Sequence, residues 1–421
     1  MKLGFTFTLL LSFFMLSSCQ KERLMDNNDK TVDLNEINIG NHDLTNNQGV
    51  GAPCENGYAG KYPCKGLDLL AHINLSTFES YSGNDSWGWT DPDTQKEYVL
   101  MGLDDGTAFV DISEAMDPIL LGKLPTTTET SDWRDIKVYK NHAYIVSEAA
   151  GHGIQVFDLT RLRGAKPKQN FTPDRILQTV PTAHNMVINP ESGYGYVVGT
   201  NRNDEYSGGV HFLDLNEPNS IRFVGGYGEA GYSHDAQVVN YNGPDQNYTG
   251  KEIFLGSNEN KLVIIDVSDK ENPKKIAEQS YPNLFYTHQG WFTEDQKYFI
   301  LGDELDESRI GGKTRTLVFD LTDLDKPELF HTYFGPTDAI DHNGYVKGDE
   351  FYLANYTAGI RLISINDLKN KNMNEIGFFD TFPEHNSNTF NGVWNVYPFF
   401  DSGVIAISDF DRGLFLVKKS K

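Results

Sequence analysis

Positive charge is in short supply. Against 59 Asp and Glu, the 421 residues carry only 36 Lys and Arg, a net charge of −23. No Lys/Arg-rich patch with interleaved aromatics offsets that balance. So acidic a surface repels nucleic acid and anionic lipid, which argues against nucleic-acid binding. Cysteine is scarcer still, with three residues, Cys19, Cys54 and Cys64. Long apolar runs are missing: Leu3 to Leu16 is too short for a typical spanning helix. The chain also lacks Gly-x-Ser-x-Gly, a P-loop, a dinucleotide-binding glycine fingerprint, His-Glu-x-x-His and Cys-x-x-Cys-His. What it has is 39 Gly, turns rich in Asn and Asp, and 12% aromatic residues, a composition suited to many short strands.

The first residues read as an address. Lys2 precedes the apolar run, which ends in Leu16-Ser17-Ser18-Cys19. This resembles a bacterial lipoprotein signal, in which Cys19 would be acylated after cleavage. The following Gln20-Lys21-Glu22 is similar to the Lys-acidic surface-export signal of Bacteroidetes lipoproteins, although Arg23 breaks a second acidic position. Residues 1–18 are therefore expected to be signal peptide. Residues 19–48, with seven Asn, four Asp and too little apolar matter to fold, read as a flexible tether. Residues 49–66 form a loop in which Cys54 and Cys64 are best read as a disulfide in an exported chain. A Cys metal pair is the alternative, but it lacks nearby His partners.

From residue 67 to 421 the chain repeats itself. Second strands recur as EYVLMG (97–102), AYIVSE (143–148), GYVVGT (195–200), EIFLGS (252–257), YFILGD (298–303), FYLANY (351–356) and VIAISD (404–409). Third strands follow, among them TAFVDIS (107–113), LVIIDVS (262–268) and GLFLVKK (413–419), and most end in Asp before a polar turn. Short strands in units of about 50 residues predict an all-β, seven-bladed propeller. The seventh unit stops one strand short. The run Leu67 to Leu75 resembles a fourth strand, so it is expected to complete that blade and remove an exposed edge. A ring that satisfies its own edges suits a monomer.

Leu262-Val-Ile-Ile-Asp-Val267 looks like the LVIVD repeat. Together with Trp87-Gly-Trp-Thr-Asp91, Trp133-Arg-Asp-Ile-Lys-Val138, Gly151-His-Gly-Ile-Gln-Val-Phe-Asp158 and Tyr286-Thr-His-Gln-Gly290, it resembles the bacterial choice-of-anchor B family from about residue 52 onward. The resemblance implies an exported propeller whose anchor here is lipid on Cys19. It implies no established reaction.

Chemistry is concentrated at the start of the first strands. Counting back from each second strand gives Ser86, Arg134, His184, His234, His288, His342 and Phe390. First strands lie innermost in a propeller, so the four imidazoles should ring one mouth of the channel. The second strands return to the same mouth, and their ends carry Glu148, Glu259, Asp303, Glu304 and Asp409. His184, His234, His288 and His342 are thus candidate ligands for a transition metal. Glu148, Glu259, Asp303 and Asp409 are additional ligands on this reading, and Glu148 and Asp303 also candidate proton carriers. Companions at the next position (Asp135, Asn185, Asp235, Gln289, Asn343, Asn391) are expected to orient the rings. The rival reading is a structural His ring that hydrogen-bonds turns. A metal-free pocket is the third.

Elsewhere, Gly302 to Ser308 is an acidic loop without EF-hand spacing, open to Ca²⁺ or simply solvated. His152 between two Gly caps a turn or faces the mouth. His42, His72, His142, His211, His331 and His385 share no register. Trp87, Trp89, Trp133, Trp291 and Trp394 read as inter-blade core, or as a stacking surface for sugar. The functional expectation is a lipid-anchored binding or scaffold module of the cell envelope with a metal or small-ligand site at the channel mouth. The alternatives are a metal-dependent oxidative or hydrolytic enzyme, and an adhesin for glycan or protein.

Overall fold

The computed structural model describes residues 51–421. The expected signal peptide, lipidated Cys19 and the whole of the tether lie outside them.

Seven antiparallel sheets, each with a core of four strands, follow one another as blades at 83–125, 134–177, 185–227, 235–279, 287–334, 344–379 and 393–419. Blade 7 is completed from the far end of the chain. Leu67–Ile73 pairs antiparallel with Gly413–Lys419, from Leu67↔Lys419 to Ile73↔Leu414. Its alternating burial is what a strand with one face on the core requires. The strand stops two residues earlier than the apolar pattern suggests, because the chain turns at Asn74 and Leu75–Phe78 winds into one helical turn.

Cys54 and Cys64 are bonded, with Cα atoms 6.0 Å apart. Their loop does more than brace the closing strand. Tyr62–Lys65 lengthens blade 6, pairing Cys64 with Phe379, while Ala52 exchanges two backbone hydrogen bonds with Leu69 of blade 7. The loop thereby ties the last two blades together beside the seam.

The recurrent Asp at the end of third strands has a local cause. Asp111, Asp158, Asp214, Asp266 and Asp320 each accept a hydrogen bond from the backbone N–H two residues on, at 2.8–3.1 Å. These Asx turns end the strand and redirect the chain to the fourth. Each blade then buries its faces on its neighbours: Phe109 of blade 1 stacks on Phe157 of blade 2 at 4.6 Å, and Tyr196 of blade 3 lies 6.2 Å from Phe254 of blade 4. Along the axis, aromatics from blades that are not adjacent meet. Trp87 of blade 1 lies 6.0 Å from Tyr345 of blade 6, and Trp291 of blade 5 lies 6.3 Å from Phe399, which follows the first strand of blade 7. They fill part of the channel, so the site lies beside a plug rather than over an open pore.

Candidate functional site

His184, His234, His288 and His342 do line one opening. Consecutive ring centroids are 4.2, 4.5 and 4.3 Å apart, and Trp394 extends the row at 4.9 Å from His342. None is more than 9% exposed. Backbone at the strand starts sets this arrangement: the N–H groups of His184, His234 and His342 donate to Gly199, Ser257 and Ala354 carbonyls on the adjoining second strand. Gly199 has φ +66°, and a Cβ there would come within 2.2 Å of the His184 Cβ, so a glycine is required behind that ring.

Partners on the next blade orient the rings. His234 Nδ1 lies 3.1 Å from the His288 carbonyl, and His342 Nδ1 lies 2.5 Å from the Trp394 carbonyl. Both nitrogens are therefore N–H donors, which turns Nε2, the lone-pair nitrogen, elsewhere. His184 Nδ1 is held instead by Glu148 Oε1 at 2.7 Å. Burial lowers the pKa of His234 and His288 well below the ordinary value, helped by neighbouring imidazoles, and takes His342 to about 3. For His184 burial acts in the same direction, but the bond to Glu148 and its charge prevail and the net shift is upward. Three rings are thus held neutral, the form that binds metals.

Glu304 completes the corner between blades 5 and 6. Its Oε2 lies 3.6 Å from His288 Nε2 and its Oε1 lies 3.6 Å from His342 Nε2, while Tyr356 donates to Oε1 at 2.8 Å. Ligand atoms of His288, Glu304 and His342 fall within 4.8 Å of one another, and all three residues are buried. A small cavity lined by the four imidazoles, Arg134 and Trp394 has room for about one water-sized body. An ion or a water fits; a sugar does not. Its floor is acidic: Lys137 lies 2.5 Å from Asp135 and 3.5 Å from Asp85. Burial pushes Asp85 well up and takes Asp235 to about 7.

Other candidates are committed elsewhere. Asp303 accepts from the Phe285 and Tyr286 N–H groups and the Tyr281 hydroxyl, which makes it a turn anchor. Asp409 does the same for Asp411, Arg412 and Thr381. Glu259 pairs with Arg202 at 2.5 Å. The companions do not orient rings; they lace neighbouring first strands, Asp135 accepting from Met186 N–H at 3.0 Å and Gln289 from Gly344 N–H at 2.9 Å. His152, fully buried, accepts from Arg134 at 2.9 Å through Nε2 and donates to its neighbour's carbonyl through Nδ1. All five Trp are buried or half-buried.

Two register positions move. The residues equivalent to the imidazoles in blades 1 and 7 are Asn84 and Trp394, not Ser86 and Phe390, and the last companion is Asn395, not Asn391. Bulges in these first strands, between Gly83 and Ser86 and between Val393 and Asn395, put a count from the second strand out of step. A direct count along the chain finds Asn84, because 84, 134, 184 and 234 are evenly spaced by 50 residues.

A model of the LVIVD repeat matches residues 249–278, the second and third strands of blade 4 and all but the last residue of its fourth. No curated protein matches the chain in sequence. Among solved structures, similar folds include a functionally unknown protein from Desulfotomaculum acetoxidans, with a TM-score of 0.52 at 10% identity, covering 73% of this chain and 88% of that one. The β-propeller domain of Myceliophteria thermophila Cps50 (Swd1) scores 0.50 at 10% identity, covering 77% and 94%. Kuenenia stuttgartiensis hydrazine synthase scores 0.51 at 10% identity, covering 75% and 91%. At such identity these likenesses speak to the fold alone.

Proposed function

We propose that this LVIVD-repeat propeller is an exported, Cys19-anchored binding module of the choice-of-anchor B kind, and that it holds a transition-metal ion between His288, His342 and Glu304. The observation that carries the metal reading is the single Glu304 carboxylate, whose two oxygens address the Nε2 atoms of two imidazoles at equal distance. A purely structural ring has no need of a buried carboxylate between neutral rings. Tyr356 already donates one hydrogen bond to it, and a cation between the two Nε2 atoms would further offset the cost of burying it there. Two nitrogens and a carboxylate suit Zn²⁺, Cu²⁺ or Fe²⁺, with water in the remaining position. The cavity's size favours a held ion over turnover of a bulky substrate.

Glu148 favours a second reading, a metal-dependent hydrolase. Its hydrogen bond to His184 places an acid–base pair beside the proposed ion, one ring removed through His234. The two readings separate by variant. Protein purified without chelator is expected to carry one transition metal per chain, and Glu304→Gln or His342→Ala to lose it. Glu148→Gln retains the metal under both readings and abolishes ester or phosphodiester cleavage under the second alone. A metal-free wild type that melts like Glu304→Gln refutes both.

A further inference from the structure

A second group of carboxylates lies between blades 5 and 6, and its reading stands apart from that of the His ring. Asp303, Asp306, Glu307 and Asp341 are each at most 1% exposed. Arg315 serves two of them, bonding Asp306 and lying 3.6 Å from Asp303, and spends its remaining donors on the Pro282 and Asn283 carbonyls. Asp341 and Glu307 are left without a cation among the described residues' ion pairs.

Each of the two has one oxygen satisfied and one not. Glu307 Oε1 accepts from the Arg315 backbone N–H at 2.7 Å, and Asp341 Oδ2 from the Thr316 hydroxyl at 3.1 Å. Glu307 Oε2 and Asp341 Oδ1 are buried and receive no hydrogen bond among the described residues. Their satisfied oxygens are held by successive residues at the head of one strand, Arg315–Asp320. The Asp341 carboxylate also lies against Gly302 of the adjoining strand, where a Cβ would meet both its oxygens at 3.1–3.2 Å. Two buried carboxyl oxygens without a hydrogen bond among the described residues thus belong to side chains held at the head of the Arg315–Asp320 strand, in a sheet interface closed to bulk water.

Buried carboxylates in that position need a proton or a cation. We propose that Glu307 and Asp341 form a structural site for a hard divalent cation of the Ca²⁺ class, pinning the short helix Asp306–Ile310 of blade 5 to the chain entering blade 6. Every donor is oxygen, without nitrogen or sulfur, which selects Ca²⁺ over the softer ions suited to the His ring. The acidic stretch Gly302 to Ser308 supplies Glu307, while Asp341 comes from the next repeat, so EF-hand spacing has no bearing on it.

The test is calorimetric titration of CaCl₂ into the full chain after chelator treatment, with melting followed in parallel. One Ca²⁺ per chain and a raised Tm are expected, with affinity reduced about tenfold or more in Glu307→Gln and in Asp341→Asn. Should an amide variant fail to fold, Thr316→Val, which removes only the hydroxyl bonded to Asp341, is expected to weaken Ca²⁺ binding. No uptake by the wild type overturns the proposal, as does uptake unchanged in all these variants. Uptake lost instead in Asp323→Asn or Asp325→Asn places the ion on the cluster of buried Asp245 with exposed Asp323 and Asp325 and overturns it too.

Discussion

Closure of the ring should fail on acidification, and His72 sets the pH at which it weakens. This residue lies on the closing strand, stacked on Phe415 with centroids 3.8 Å apart and planes 9° from parallel. Its Nε2–H donates to the Arg412 carbonyl at 2.9 Å, and its Nδ1 faces the Tyr62 hydroxyl at 3.3 Å. Burial, with Lys61 and Arg412 nearby, lowers its pKa from 6.5 to about 4. Above pH 6.5 the ring is neutral folded and unfolded, and pH does not act through it. As pH falls below 6.5 the unfolded chain takes up the proton first, so stability is lost progressively until about pH 4, where the folded ring protonates as well. Each tenfold difference in proton affinity between the two states is worth about 1.4 kcal/mol, which brings the loss to about 2 kcal/mol by pH 5. Urea unfolding of wild type and His72→Gln at pH 7.5 and pH 5.0 isolates this contribution as a difference of differences, free of the other buried imidazoles. Equal pH effects in the two proteins would refute the reasoning.

Three further outcomes are expected. Reducing the Cys54–Cys64 bridge, or replacing both with Ser, should cost about 3 kcal/mol, the loop-entropy value for so short a loop, read as a drop in urea midpoint; no change would mean that pairing beside the seam suffices. Lys137→Met leaves Asp85 and Asp135 buried without their cation and should destabilise by about 3–5 kcal/mol at pH 7, with less loss at pH 5 as Asp85, whose pKa burial raises, takes up a proton; a neutral result contradicts the acidic channel floor described above. Cys19→Ser should move the protein from the membrane fraction to the soluble one, and an unchanged distribution removes the lipid anchor.

Much of the blade structure was legible because strand chemistry repeats. The third-strand Asp is visible as LVIID or TLVFD, and the turn it makes is local, so reading it needs no tertiary knowledge. The closing strand was legible as a missing fourth partner. The site was legible only in part. Even spacing brings out four imidazoles, yet the carboxylate that meets two of them is Glu304, while Asp303 beside it turns into a Tyr281 and backbone cage. Residues just past a strand end alternate in direction, and both carboxylates that touch the rings, Glu148 and Glu304, sit one position beyond strands ending at Ser147 and Asp303. That parity is a usable signal. Bulges are not so easily read, since they shift register without a fixed residue pattern, and they displaced the assignments in blades 1 and 7.

The central claim concerns one point in space, the corner shared by His288, His342 and Glu304. Crystals of the chelator-treated protein soaked in Zn²⁺, with data collected on both sides of the zinc absorption edge, test it directly. An anomalous peak about 2.0–2.2 Å from both Nε2 atoms and a Glu304 oxygen is the expected result. A ring left without density, its Glu304 hydrogen-bonded to protonated imidazoles, would contradict it.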